Sequence, residues 1–323
     1  MALRLRYRRG DLLAALPRVS SRHVRIPVFP GSALSVTSAI PPGAGGPPDP
    51  SAPKKSFGGR WTYIVLIVAL LFVLMPFLLL NATWFGKPLN DEQMSKALNN
   101  RLHPREIQHA LAQIEQRIES GDPTVKRWYP DIVRLSSDKI DEIRVTAAWV
   151  MGQDNSVSEF HEALQRLLAD PQPMVARNAA LGLVRFHDNS GHDQILAMLR
   201  PYTLVSPGSG KLNQRLKIGD VVNPGTLVGH IEQGSDQKEV RTAVPGTIDL
   251  WQAKDGSQVT AGQPLLQLSP SQEMVWEALR ALYLVGRPED LDAISPYVRS
   301  VPNMPPQVQQ QALDTERAIR SRS

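Results

Sequence analysis

The chain has 323 residues, 42% of them hydrophobic and 21% charged, with 27 prolines and 22 glycines; that length suits about two domains, and the composition excludes a wholly disordered chain while requiring stretches of linker or turn. There is no cysteine, which excludes disulfides, thiolate metal sites, iron–sulfur clusters and a cysteine nucleophile together. The net charge of +5 belongs to the first sixty residues, where Arg4, Arg6, Arg8, Arg9, Arg18, Arg22, Arg25, Lys54, Lys55 and Arg60 face only Asp11 and Asp49, so the slightly acidic remainder has no positive field to hold a phosphate backbone and nucleic acid is not an expected partner.

Residues 1–60 are Arg-rich and then Pro/Gly/Ser-rich (PPGAGGPPDPSAPKKS), too poor in apolar surface to order themselves, and are expected to be a disordered basic tail. Residues 61–85 read WTYIVLIVALLFVLMPFLLLNATWF, with no charge and with Trp61, Tyr63, Trp84 and Phe85 near the ends. A run of that length is expected to be a single transmembrane helix in contact with the lipid bilayer. Lys54, Lys55 and Arg60 precede it, so the positive-inside bias places the N-terminus in the cytoplasm and residues 86–323 in the periplasm of a bacterial inner membrane.

Residues 86–202 carry helical periodicity. Ile107, Leu111, Ile114 and Ile118 fall on one stripe. The segment FHEALQRLLADPQPMVARNAALGLVRFHD, from Phe160, reads as two helices joined at Asp170-Pro171, and an earlier copy matches it: Ile143, Ala147, Ala148, Trp149 and Met151 align with Val175, Ala179, Ala180, Leu181 and Leu183 at an offset of 32. Repetition near that period marks a helical solenoid. The leucine run, the D-P-x-P turn from Asp170 to Pro173, Val175, Arg177 and the paired alanines Ala179 and Ala180 resemble HEAT repeats; the resemblance implies an armadillo-like α-solenoid of helical pairs that presents a curved face to protein partners.

Over residues 203–269 the texture changes to short apolar alternations between glycine and proline turns, the signature of strands. Gly219, Val222, Gly225 and Ile231 recur as Gly256, Val259, Gly262 and Leu268 at an offset of 37, and Pro207-Gly208 has an echo in Pro245-Gly246, which predicts two half-motifs closing over one core. The pattern G-D-x-V-x-x-G-x-L from Gly219, followed by V-P-G-T-I and G-x-x-V-x-x-G-Q-P-L from Gly256, resembles the biotinyl/lipoyl barrel-sandwich hybrid of carrier proteins and of HlyD-type membrane fusion proteins. In the carriers a lysine within D-K-A or M-K-M stands at the tip of the hairpin joining the halves. Here the joint reads IEQGSDQKEV, which puts Ser235 at that place and Lys238 three residues further on. Lys238 is therefore either a solvated hairpin lysine or the modified residue of a lipoyl- or biotin-type carrier. The loops around Pro207, Gly208, Pro245 and Gly246 are candidate interaction residues.

Residues 270–323 resume the helical pattern: Met274, Ala278, Ala281 and Leu282 align with Val175, Ala179, Gly182 and Leu183 at an offset of 99, so the β unit is expected to be an insert within one repeat. A last pair, DLDAISPYVRS and PPQVQQQALDTERAIR, has the polar face of a terminal cap. The fold class expected is thus multidomain: one transmembrane helix, a HEAT-like α-solenoid and an inserted small all-β barrel-sandwich hybrid.

Chemistry is sparse. His187, Asp188, His192 and Asp193 in HDNSGHD form the one dense group of potential metal ligands; helix capping is the reading favoured over metal binding, and no metal or cofactor is expected. His103 and His109 have no evident partner, and DKIDE from Asp138 reads as a solvated turn. No G-x-S-x-G, H-E-x-x-H, Walker A, G-x-G-x-x-G or EF-hand pattern is present. The expected function is a non-enzymatic, membrane-anchored scaffold holding other envelope proteins together in a transport, secretion or envelope-assembly complex. Two alternatives are a carrier modified at Lys238 and an accessory factor of an enzyme complex, the latter because some HEAT-like families resemble bilin lyases.

Overall fold

In a computed structural model, the structure describes residues 88–299, 301 and 304–322, together with 63, 65, 67–70, 72, 74 and 75. The chain divides into two compact units between Val68 and Ala69. In the first, Tyr63, Val65, Ile67 and Val68 are helical and exposed. Among the described residues no helix is long and apolar enough to cross a membrane, since a span needs about twenty consecutive apolar residues. This corrects the expectation of a transmembrane helix over 61–85. The single-pass fold class and the inner-membrane placement with periplasmic domains rested on that helix and are corrected with it. The rest of 61–85, and the basic tail over 1–60, lie outside the described residues.

The second unit is built of helical pairs. The first pair is α1 (Asp91–Asn99) and α2 (Pro104–Glu119); a 3-10 turn (Pro123–Trp128) leads into α3 (Tyr129–Leu135) and α4 (Asp141–Met151); α5 (Ser158–Leu167) pairs with α6 (Pro173–Arg185). α7 (His192–Ala197) is separated from α8 (Gln272–Val285) by eight strands, and α9 (Leu291–Val298) with α10 (Pro306–Arg322) ends the array. The second helices stack in succession, α2 on α4, α4 on α6, α6 on α8 and α8 on α10. Amphipathic stripes explain the order. Ile107, Leu111 and Ile114 of α2, Ile143, Ala147 and Met151 of α4, and Val175, Ala179 and Leu183 of α6 are all fully buried in one continuous core, which no single pair can cover alone. A second core joins Ala180, Ile195, Ala278, Leu282, Ile294 and Ile319, so the array closes on both sides of the β insert.

The strands are β1 (Tyr202–Val205), β2 (Gly210–Gln214), β3 (Val221–Val222), β4 (Leu227–Gln233), β5 (Asp236–Arg241), β6 (Gly246–Trp251), β7 (Gln258–Val259) and β8 (Pro264–Pro270). They form two antiparallel four-stranded sheets, in orders β1-β8-β6-β3 and β5-β4-β2-β7. Each strand of one sheet has its counterpart at the same place in the other, β3 with β7 and β8 with β4 included, so the unit is pseudo-twofold. The sequence echo is the cause: Val222 and Val259, and Ile231 and Leu268, are buried in one core, while Gly225 and Gly262, with φ near +80°, make the equivalent turns that only glycine adopts without strain.

Candidate functional site

The HDNSGHD segment resolves into separate structural contacts. His187 is exposed and takes a left-handed φ of 60° in the turn after α6. Asp188 accepts from His161 Nε2 at 2.8 Å and Gln165 Nε2 at 2.9 Å, both on α5, and from the Ser190 backbone N–H at 2.8 Å. Burial raises its pKa, but the donors from Ser190, Gln165 and His161 outweigh that and hold the carboxyl down at about 2. His192 turns the other way, donating to Asp290 Oδ2 at 2.9 Å. Asp290 is 2% exposed and also accepts from the Arg287 backbone N–H. Among the described residues no group of three or more His, Asp or Glu is placed to hold a metal ion.

These bonds belong to a regular ladder. Tyr129 donates to Asp154 at 2.7 Å, His161 to Asp188 and His192 to Asp290. In each rung a residue at the start of the first helix of a pair reaches the aspartate in the turn after the second. The donors lie 32 and 31 residues apart. The aspartates keep nearly the same period once the β insert is set aside. Asp122, Asp154 and Asp188 each sit in a D-x-[ST] turn and accept from the backbone N–H two residues on. Burial raises the Tyr129 hydroxyl pKa, and its bond to Asp154 adds to the shift. The DKIDE segment is equally committed: Asp138 accepts from the Ile140 N–H, and Arg144 bridges Asp141 at 3.0 Å and Asp170 at 2.7 Å. His103 donates to Asn100 and His109 accepts from Gln113, so both histidines have partners that the sequence did not reveal.

On the β unit the hairpin between β4 and β5 turns at Gly234 and Ser235, with Gln233 paired to Asp236. The tip therefore carries Ser235. Lys238 lies down strand β5 opposite Ile231, and its chain runs over Gly208, so close that a Cβ there would meet Lys238 Cδ at 2.9 Å and Nζ at 3.2 Å. Lys238 and Gly208 are thus brought together, and the amine lies against the β1–β2 turn rather than at the hairpin tip. Pro207 is exposed and Gly208 buried. Gly246 is not a loop residue: it pairs with Val222 and Pro270 inside the first sheet. Its structural counterpart is Gly210, not Gly208. A Cβ on Gly246 would collide with the Ser269 carbonyl, and one on Gly210 with the Glu232 carbonyl, two oxygens 37 residues apart like the rest of the echo.

The surface the sequence did not single out runs across the second helices. Trp149 of α4 is 36% exposed and donates through Nε1 to Glu115 of α2 at 2.6 Å. One turn on, Gln153 accepts from Arg185 of α6. Arg185 is exposed as a residue, yet partial desolvation of its guanidinium lowers its pKa, and the neighbouring charge of Arg280 on α8 pushes the same way while Glu119 and Glu277 oppose it. Tyr283 and Leu284 of α8 are exposed at helical spacing from Arg280. Leu181 occupies on α6 the place of Trp149 on α4. The signal was present in the offset that aligns Trp149 with Leu181, but periodicity marks equally well a residue of the core.

No family model and no curated protein matches the chain. Among solved structures it is similar to a single-chain, multi-domain long-chain acyl-CoA carboxylase, at 19% identity and a TM-score of 0.21, over 42% of this chain and 14% of that one. So loose a likeness carries no argument about fold or activity.

Proposed function

We propose that this protein is a non-enzymatic scaffold that binds protein partners across the face formed by its successive second helices. The observation that carries the reading is the stripe from Glu115 and Trp149 through Gln153 and Arg185 to Arg280, Tyr283 and Leu284. Tryptophan, tyrosine and arginine are the residue types enriched where binding energy concentrates. Trp149 is held in one orientation by Glu115, so little side-chain freedom is lost when a partner packs on it. Asp188 and His192 of the HDNSGHD segment are meanwhile spent on joining helices. The HEAT-like pattern around Asp170 to Ala180 supports the same reading by resemblance, and the biotinyl/lipoyl-like pattern of the insert is compatible with a second docking element.

The test is site-specific photocrosslinking of the full chain in its native cells, with the probe placed at Leu181 on the stripe or at the exposed Glu162 on the first helix α5, away from it. Discrete adducts from Leu181, absent from Glu162 and lost in a Trp149→Ala/Tyr283→Ala variant that still folds, are expected. Equal labelling from both positions, or adducts indifferent to the double substitution, would refute the proposal.

A further inference from the structure

The β insert and the helical array meet at a thin seam. Among the described residues no helix makes an extended contact with any strand. Met174 of α6 is one of the few side chains that touch both the helical core and the β core. Beside it is Arg177, also on α6, which is 5% exposed. Its Nη1 lies 3.1 Å from Met274 Sδ, at the start of α8 where the chain returns from the insert, and its Nη2 lies 3.5 Å from the Ala197 carbonyl, at the end of α7 where the chain leaves for it. Tyr202, the first residue of β1, is near enough to couple with it electrostatically, and as a neutral phenol it supplies no counter-charge. Among the described residues no carboxylate lies within ion-pair distance of Arg177. Burial accordingly lowers its pKa to about 10.

Both connections leave the insert at one point. β1 and β8 are neighbours, with Tyr202 opposite Leu268, so the outgoing and returning chains run side by side past the same guanidinium. Two adjacent crossings and few contacts elsewhere are the geometry of a hinge. A buried charge without a counter-charge has a definite effect on such a hinge. In the closed arrangement the guanidinium has a thioether and one long carbonyl contact, both from the array helices that flank the crossing, in place of water, so any movement of the insert that admits water at the crossing is favoured by this residue. The apolar contacts of Met174 with both cores hold the seam shut while Arg177 works against them.

We propose that this seam is a yielding joint, kept weak by Arg177, about which the β insert changes its orientation on the helical array. The inference stands apart from the partner-binding proposal, since it concerns the free protein. The joint is set by the balance at one residue, so an apolar side chain of similar length should seal it.

The absence of native cysteine allows a clean test in the full chain. Spin labels on Lys254→Cys in the insert and Glu142→Cys in the array report the distance between the two, and hydrogen exchange of residues 198–203 reports opening of the seam. With Arg177 in place the distance distribution is broad. In Arg177→Met it narrows to one population and exchange at the seam slows by about tenfold, the effect of removing a buried uncompensated charge, while Arg177→Lys stays broad. If Arg177→Met leaves the distribution and exchange unchanged, broadens it, or fails to fold while Arg177→Lys folds, the guanidinium is a clamp or a bystander and the proposal is overturned.

Discussion

The helical array and the β insert both repeat a short unit, and they secure the repeat by different means. In the array each pair is locked to the next by side chains: apolar stripes in the core and the rungs Tyr129–Asp154, His161–Asp188 and His192–Asp290. In the insert the two halves are locked by backbone: glycines at Gly225 and Gly262 make the turns, and Gly210 and Gly246 let facing carbonyls approach closer than any Cβ allows. The lesson is that an array tolerates an inserted module when its rungs are side-chain bonds, because a side chain can find its partner 98 residues away as readily as 27. The bond from Tyr297 to the Leu199 carbonyl at 2.7 Å spans the insert in the same way.

The largest break in this comparison is expected from Phe160→Ala. Phe160 is fully buried and its ring lies 4.6 Å from that of Tyr129, so truncation should destabilise the array by about 3–5 kcal/mol. If the two regions are secured separately, denaturant unfolding of the variant resolves an early transition in the helical circular-dichroism signal, while hydrogen exchange of strands β4 and β8 of the insert reports an unchanged one; a single merged transition would show that they unfold together.

Gly210→Ala is the reciprocal test. The native φ of +152° and the Glu232 carbonyl both oppose a side chain there, and a cost of about 2–3 kcal/mol should fall on the insert alone. Loss of the strand signal in circular dichroism with helix content kept is the outcome expected; an equal loss of helix would mean that the seam transmits strain.

A smaller effect sharpens the role of the rungs. Asp188→Asn should cost about 1–2 kcal/mol. The folded carboxyl titrates near 2 and an unfolded one near about 3.9; a depressed folded pKa means that the stabilisation is present above about pH 4 and is lost as pH falls from there to about 2. Asp188→Asn should remove that part of the acid sensitivity, as seen in unfolding midpoints between about pH 5 and 2. If the variant keeps the same acid limb, the rung is not its source.

Much of this fold is legible in particular residues. The spacing of Ile107, Leu111 and Ile114 announces α2, the Asp170–Pro173 turn separates α5 from α6, and the glycine echo at 37 residues marks the two halves of the insert. Less of the functional surface is legible. His192 stands four residues from Asp188 and reads as its neighbour, yet its partner is Asp290, since Asp188 lies in the turn outside the helix and bonds back to α5 while His192 opens α7 and reaches forward to the next turn. Gly246 resembles Gly208 in its Pro-Gly context, but strand pairing makes it the counterpart of Gly210. The apolar run over 61–85 satisfied every local criterion of composition for a membrane span, whereas among the described residues no helix is long and apolar enough to cross a membrane.

Over residues 86–323 the sequence alone indicated which stretches are helical, which are strand and how each pattern repeats, because periodicity and turn chemistry act over a few neighbouring residues. Only the tertiary structure decided which polar groups are spent on holding the array together, that Trp149 and Arg185 share one face, and that Arg177 sits without a counter-charge beside the two adjacent crossings between the modules. Those outcomes depend on distances between residues far apart in the chain, and burial, hydrogen bonding and electrostatics are set by distance in space.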